Sequence, residues 1–343
     1  MPMFRRSAVC LAAFAALAAL ALAAPAQAAE DAVLRAAKKE GKVTWYTAVA
    51  TAVAQNVCQK FNAKNAGVTC TVHRDGSGPL YRRILQEAKS GVFQVDVFDS
   101  ANTGHFLSLR KDHLASYKPK GTDKFHPAFV TDHGYWTYYR ATVVVPFYNT
   151  RKVAEKDAPK NWKDLTDPRW NGRLLQAHPS YSGNITTQII LLEKVLGWGF
   201  FEKLAALKPK IQQSSLAGIP IVARGESDVA TGSPLYAILN AIKKGEPLRV
   251  VYPPEGVPLN TMPYGVMKKA PNPNAAKVFS DFLFSQEAQQ VLADQNLYVG
   301  HPGVKYPKAL PDLKSLKLLD LAPEEQQKKS KETQDKFRKA FGV

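Results

Sequence analysis

The sequence predicts an α/β fold in two domains with mostly parallel sheets. Helix and strand patterns alternate along the first third of the chain, which is typical of βαβ units. A long β-rich run at 141–148 interrupts this alternation, and a second alternating series follows it. With 343 residues, the chain is also long enough for two domains of ordinary size.

The first 28 residues have the pattern of a secretory signal peptide. Arg5 and Arg6 precede an apolar, alanine-rich run at 8–24, and small residues precede the predicted cleavage after Ala28. An uncleaved membrane anchor is the alternative, but the run is short and a cleavage site follows it directly. Cys10 lies inside the run rather than at its end, which argues against a lipoprotein. We therefore expect export to the periplasm.

Removal of this leader leaves 315 residues, two cysteines and a formal charge of +15. An exported chain rarely meets nucleic acid, so we expect no nucleic-acid partner. The charge favours either steering of an anionic ligand or a generally basic exported protein, and alone it does not choose between them. Cys58 and Cys70 form no CxxC pair, and an oxidising compartment predicts a disulfide between them.

In the first domain, apolar periodicity and turn residues define each element in order. The predicted helices are 31–40, 52–64, 80–90 and 101–110, and the predicted strands are 43–47, 68–73 and 93–98. Ligands of open α/β sheets bind beyond the carboxyl ends of strands. The loops at 47–51, 74–79 and 99–103 are therefore candidate ligand loops, and Thr47, Ser77, Gly78 and Ser100 lie in or beside them.

The second domain alternates in the same way after the strand at 141–148. Further strands are predicted at 172–177, near 211–214 and at 227–231, with helices up to 196 and at 199–207, 219–224 and 235–245. Four prolines between 253 and 263 predict a stiff connector, and 264–268 a strand that returns to the first domain. Helices follow from 272 and 285, and the charged tail from 322 predicts a solvated helix.

The stretch from Pro179 to Asn184 precedes the helix that ends near residue 196. A helix start leaves backbone N–H groups unpaired and carries partial positive charge, so Ser182, Gly183 and Asn184 would form a cradle for an anion there. The alternative is an ordinary helix N-cap. Tyr181, in the same stretch, is a weaker candidate for contact with a ligand.

Several motifs in order along the chain resemble the extracellular solute-binding proteins of bacterial ABC importers. They include Val43 to Thr47, Gly76 to Gly78, Val95 to Phe98, Asp164 with Leu165, Asp167 to Gly172, Gly225 with Glu226, Ala270 to Ala276, and Ser285 to Gln289. The resemblance covers nearly the whole mature chain, and the ferric-iron-binding branch is nearest. No single motif is diagnostic, but their order is fairly specific.

This resemblance implies two doubly wound α/β lobes, joined by crossover strands, that close over a ligand in the cleft between them. The first lobe would comprise 29–137 and 259–300, the second 138–258, and 301–343 would be a helical tail that packs on the lobes. It also implies a monomer that needs no cofactor and delivers a small solute to a membrane permease with a cytoplasmic ATPase.

The ligand set of the iron binders is not kept. Their histidine, glutamate and paired tyrosines align with about Ala50, with about Ala101 and with Leu235-Tyr236, so only Tyr236 remains as a metal ligand. Ferric iron needs several anionic or phenolic oxygens, so we predict no metal site. The stretch that holds the accompanying anion in the iron binders is kept at 182–184. An anionic organic or phosphorylated solute is therefore the favoured ligand, and ferric iron the alternative.

The candidate ligand-binding residues each have an alternative structural role. Arg82 would clamp a carboxylate or phosphate, or pair with an acid at the surface. Tyr236, shortly after Ser233 at the end of a predicted strand, would contact the solute or pack in the core. The candidates together are Thr47, Ser77, Gly78, Arg82, Ser100, Tyr181, Ser182, Gly183, Asn184, Ser233 and Tyr236.

Catalytic motifs give no support to an enzyme. The chain has no GxSxG, HExxH or Walker-type phosphate loop, and its seven histidines have no metal-binding spacing. A solute-binding protein is therefore favoured over a secreted hydrolase. A sensory component that hands its ligand-bound form to a membrane receptor also fits the sequence.

Overall fold

The computed structural model describes residues 28–131 and 134–343. The predicted signal peptide, apart from Ala28, lies outside the described residues. The first part of the described chain alternates as the sequence predicts. Its elements are α1 (28–40), β1 (Lys42–Thr47), α2 (Thr51–Lys64), β2 (Thr69–Arg74), α3 (Ser77–Ser90), β3 (Val97–Asp99) and α4 (Thr103–His113).

The remaining elements begin with the longest strand of the described chain. They are β4 (Thr137–Asn149), β5 (Leu174–Ala177), α5 (Gly183–Leu196), α6 (Gly199–Ala206), β6 (Lys210–Gln212), α7 (Gly218–Ala223), β7 (Val229–Pro234), α8 (Leu235–Lys243), β8 (Leu248–Val250), β9 (Val257–Val266), α9 (Pro273–Leu283), α10 (Gln286–Asp294), β10 (Leu318–Leu319) and α11 (Pro323–Phe341).

The strands follow the order β2-β1-β3-β9-β4-β7-β5-β6. Pairing is parallel between β1 and its neighbours β2 and β3 and between β5 and its neighbours β6 and β7. It is antiparallel where β9 pairs with β3 and where β4 pairs with β7 and β8. The long strands β4 and β9 pair with each other in antiparallel register and join the two halves. These are the crossover strands, and their presence confirms the predicted two-lobed α/β fold. The exact lobe boundaries stay a prediction.

Two sequence predictions about strands are wrong. The predicted proline-rich connector includes Pro258 and Pro263, but both lie inside β9, where they pair with β10 and β4. The strand predicted at 93–98 is reduced to Val97–Asp99. At its start the Asp96 N–H still donates to the Thr44 carbonyl, at 3.0 Å, but the Thr44 N–H donates to the Asp96 carboxylate, at 2.7 Å, instead of to a backbone carbonyl.

The predicted disulfide is present between Cys58 on α2 and Cys70 on β2. It lies at the edge of a core shared by α2, α9 and the first-lobe sheet, in which Phe61, Phe279 and Trp45 pack as a chain of aromatic rings. No helix among the described residues combines the length and apolar character that membrane crossing requires. The crossover strands and these cores hold the strand ends of both lobes facing one another.

Candidate functional site

A polar cavity lies between the lobes, where the loops after β1 and β2 meet the helix start of α5 and the segment before α7. The space there that protein atoms leave unfilled, part of which is open to solvent, amounts to about 320 Å³. Its lining consists of Ala48, Arg74, Gly76, Ser77, Arg140, Tyr181, Ser182, Asn184, Ser214, Ser215, Leu216 and Tyr236. The lining contains two arginines, six hydroxyl side chains from serine and tyrosine, and no carboxylate.

The two lobes touch around this cavity, so the structure is a closed form. The Gly78 N–H of the first lobe donates to the Tyr181 carbonyl of the second, at 3.3 Å. The Tyr181 hydroxyl donates to Asp75 Oδ1, at 2.5 Å. On the opposite side, the Ala50 N–H donates to the Tyr236 hydroxyl, at 3.0 Å. Hydrogen bonds across the cleft therefore flank the cavity on both sides.

Arg140 is a fully buried cation at the cavity. It lies on β4, and its Nη2 donates to Asp99 Oδ1, at 3.3 Å, while its Nε donates to the Tyr139 hydroxyl. Burial alone would lower the pKa of Arg140, but Tyr139 and Asp99 more than offset this and raise it, so the guanidinium stays charged. Nη1 takes part in neither hydrogen bond. Arg140 can therefore present N–H donors and positive charge to a solute.

Burial acts in the opposite direction on Asp99. It raises the pKa of this carboxyl group, although the positive charge of Arg140 lowers it. The carboxylate also accepts from the Trp45 indole N–H, at 3.0 Å. Asp99 therefore contacts Arg140 from within the first-lobe core, and it is not part of the cavity lining.

The serine before α5 does not cap the helix with its side chain. Ser182 occupies the N-cap position without a side-chain capping hydrogen bond, and its Oγ lies 3.2 Å from Ser215 Oγ instead. Asn184 Oδ1 accepts from the Asn260 amide, at 2.8 Å. The ordinary N-cap was the alternative for this stretch, and the Ser182 geometry does not support it. Both side chains line the cavity.

Of the residues that the sequence singled out, five line the cavity: Ser77, Tyr181, Ser182, Asn184 and Tyr236. Ser77 Oγ also accepts from the Ala101 N–H, at 3.0 Å, which ties the start of α3 to the loop after β3. Candidates that the sequence selected at strand ends and helix starts in both lobes thus line the same cavity.

The other six candidates lie outside the lining. Thr47 is buried beneath it and accepts from the Val49 N–H, and Ser100 is bonded to His105 and the Asn102 N–H. Ser233 donates to the Ser215 carbonyl and supports the segment before α7. The remaining three of these six candidates are Gly78, Arg82 and Gly183.

Gly78 and Arg82 border a separate hollow beneath α11, and Gly183 is packed between the lobes. A Cβ atom on Gly183 would lie 2.7 Å from the Ala101 backbone. Gly78 is one of the candidate ligand-binding residues, and its N–H donates to the Tyr181 carbonyl. These glycines therefore permit the close approach of the lobes.

Sequence reasoning missed both arginines of the lining. Arg74 ends β2, and its Nε donates to the Val49 carbonyl, at 3.4 Å. Arg140 directly precedes the apolar run at 141–148. A charged residue inside a buried strand was the available signal. Ser214, Ser215 and Leu216 carry no local motif, and only the fold brings them to the cavity.

The positions that align with the ligands of the related iron binders are about Ala50, about Ala101 and Leu235-Tyr236. Among the described residues no group of three or more His, Cys, Asp or Glu side chains is placed to hold a metal ion. Tyr236 is the one position kept, and burial raises its pKa, which disfavours the phenolate that ferric iron binds.

These features define a type II periplasmic binding protein, in which two α/β lobes enclose a solute in the cleft between them. The chain belongs to the bacterial extracellular solute-binding protein family, whose profile matches residues 92–322. It is therefore a periplasmic solute-binding protein of the kind that serves ABC importers.

Known proteins of this family resemble the chain over most of its length. It is 24% identical over 265 residues to the Fe(3+)-binding periplasmic protein of Serratia marcescens, which spans 72% of this chain and 76% of that protein. The structure of AfuA from Actinobacillus pleuropneumoniae matches with a TM-score of 0.79 and 23% identity, over 88% of this chain and 99% of that chain. Iron-bound HitA from Pseudomonas aeruginosa matches with a TM-score of 0.73 and 25% identity, over 87% and 99%.

Proposed function

We propose that this protein captures a small anionic organic or phosphorylated solute by closure of its lobes and delivers it to the permease of an ABC importer. The observation that carries the proposal is the buried Arg140 in a lining that contains a second arginine and no carboxylate. A cation held at a solute cavity favours a ligand that brings negative charge.

The surroundings of Arg140 suit an anion with several oxygen atoms. A solute that enters the cavity loses water, and this loss is costly for an anion unless donors replace the water. Guanidinium groups bind carboxylate and phosphate oxygens strongly. Hydroxyl groups of Ser77, Ser182 and Ser214 and the backbone at the start of α5 add neutral donors. This combination supports a phosphate or carboxylate that carries further hydroxyl groups.

Ferric iron is the alternative ligand, because named relatives bind it. Two tyrosines line the cavity, but a ferric site needs them as phenolates. Burial and the hydrogen bond to Asp75 raise the pKa of Tyr181, and burial raises that of Tyr236. The nearby positive charge of Arg140 would also oppose a trivalent cation. These observations support the anion over iron.

The structural neighbour AfuA is described with exogenous fructose-6-phosphate bound. At 23% identity that likeness shows the fold alone, so the ligand class proposed here depends on the lining residues. The neighbour still identifies fructose 6-phosphate as a sensible probe. A sensory role would use the same cavity, and a permease gene beside this one would favour import.

We expect anions to stabilise the mature protein in a thermal-shift screen. A ligand that binds only the folded state raises Tm. At a free ligand concentration of a hundred times Kd, it adds about 2.7 kcal/mol to the free energy of unfolding. The probes are inorganic phosphate, fructose 6-phosphate, a phosphonate, citrate and ferric citrate, each at two salt concentrations. A control with fructose, which lacks the phosphate, separates recognition of the anion from recognition of the sugar.

The expected result is a rise in Tm with one of the organic anions and none with fructose. A shift confined to ferric salts, together with the visible colour of an iron–tyrosinate complex, would show that the anion proposal is wrong. Turnover of any probe would point instead to a hydrolase.

Replacing Ser182 and Asn184 together with alanine should weaken binding of the anion by roughly tenfold or more, or about 1.4 kcal/mol. Both side chains line the cavity at the start of α5, and neither makes a capping hydrogen bond that the helix needs. Isothermal titration with the anion found in the screen measures the change. An alanine replacement of Ser285, whose Oγ does cap α10, is the matched control, expected to lower Tm and leave Kd unchanged. Equal Kd values for the double variant and the parent would reduce the stretch to a structural role.

A further inference from the structure

Helix α11 is fixed to the second lobe by apolar packing. Phe337 is fully buried among residues of the second-lobe core, and it stacks on Phe341 with ring centroids 4.2 Å apart. His178, in the loop after β5, packs edge-on against the same ring. Lys336 also reaches Glu193 of α5. The carboxyl half of α11 is therefore part of the second lobe.

The amino half of α11 reaches the first lobe through polar side chains. Gln326 Oε1 accepts from the Thr103 N–H, at 2.7 Å, and from the Gly104 N–H, at 3.3 Å, at the start of α4. Ser330 Oγ accepts from the Asn102 amide, at 3.2 Å. Gln327 donates to Ser108 of α4, at 2.8 Å. Polar contacts of this kind can exchange with water when surfaces separate.

Gln326 also connects to the second lobe. Its Nε2 donates to Thr187 Oγ1 on α5, at 2.5 Å, so a single buried amide links the starts of α4 and α5. Both helices lie beside the cleft: α4 follows the loop after β3, and α5 begins at the cavity lining. Movement of the lobes away from each other would separate these partners.

We propose that α11 is a latch that moves with the second lobe and engages the start of α4 when the cleft closes. Its contacts to α4 would then exist only in the closed form and would favour that form with or without solute. Any interaction made only in the closed state raises the closed population and, with it, the apparent affinity for the solute. This effect on affinity rests on the proposed function, whereas the effect on closure does not.

The fit of α11 against α4 is close enough for a second test. A Cβ atom on Gly104 would lie 2.8 Å from the Gln327 Cα and 2.9 Å from its backbone nitrogen. Gly104 lies in the first turn of α4, where alanine is a better helix former than glycine. Replacing Gly104 with alanine should therefore keep α4 folded and push α11 away from it.

Distances between spin labels on the two lobes measure the closed population directly, in the mature protein and without solute. Val92 of the first lobe and Val195 of the second are 59% and 43% exposed and are suitable sites for single cysteines. The native cysteines are joined to each other and do not compete for the label. We expect a short-distance population in the parent, reduced roughly threefold to tenfold by Gln326→Ala and by Gly104→Ala.

Lys331→Ala is the matched control, because Lys331 is exposed and pairs with Asp335 of the same helix. It should leave the distances unchanged. The proposal is overturned if the parent has no short-distance population, if both latch variants keep the parent's population, or if Lys331→Ala reduces it as strongly as they do. Because no solute is present, a failed anion screen would leave this result intact.

Discussion

Replacing Arg140 with glutamine is expected to weaken binding of the anion by roughly a hundredfold or more, about 2.7 kcal/mol. Arg140 is 1% exposed and belongs to the cavity lining, so its charge acts where water is largely excluded. Glutamine keeps a donor of shorter reach and loses the positive charge. Arg140→Lys should recover part of the affinity, because it restores the charge but not the planar fork.

The same substitution leaves Asp99 as a buried carboxylate without its cation. Such a group is costly, so Arg140→Gln alone should also lower Tm. The double variant Arg140→Gln with Asp99→Asn removes the stranded charge and should regain stability without regaining affinity. This separation distinguishes a role in binding from a role in folding.

Titration calorimetry and thermal unfolding measure both effects on the same samples. Arg224→Gln is the control for net charge, since Arg224 is exposed and pairs with Glu226; its Kd should match the parent. An Arg140→Gln variant that binds the anion as tightly as the parent would exclude Arg140 from the binding site.

The regular elements of the fold were predictable because their signals are local. Helix α3 ends where Gly91 adopts a left-handed conformation, and Ser285 caps α10, as residue type and spacing predict. The disulfide followed from the compartment and the number of cysteines. By contrast, β9 includes prolines that normally argue against a strand. It forms because the long-range pairing with β4 outweighs that local preference.

The candidate site was only partly predictable for the same reason. Residues at strand ends and helix starts, such as Ser77 and Ser182, could be found from local patterns. Arg140 has one local signal, a charge beside an apolar run, but its place in the cavity lining and its pairing with Asp99 of another strand depend on the fold. Gly78 illustrates a different difficulty. The sequence marks it as a turn glycine, and only the closed form shows that the Tyr181 carbonyl already accepts its N–H.

Replacing Gly78 with alanine is expected to weaken solute binding by roughly tenfold to a hundredfold. A Cβ atom at this position would lie 2.2 Å from the Ser180 carbonyl oxygen, across the cleft. The Cβ atom is bonded to the backbone and the Ser180 oxygen is part of it, so a change of side-chain rotamer cannot relieve the clash. The lobes would have to stay apart by part of an ångström or more, and the solute would lose contacts that only the closed form provides.

The folded lobes themselves should tolerate this change. Gly78 is the second residue of α3, and alanine is a better helix former than glycine. Gly199→Ala is the matched control, because Gly199 also lies at a helix start and has no atom within 4 Å of an added Cβ. Calorimetry should show a weaker Kd for Gly78→Ala alone, and X-ray scattering should show a larger radius of gyration with solute present. Unchanged affinity would mean that the solute is held without the lobe contact at Gly78. The prediction thus ties binding to the backbone contact between the lobes, separately from the charge of Arg140.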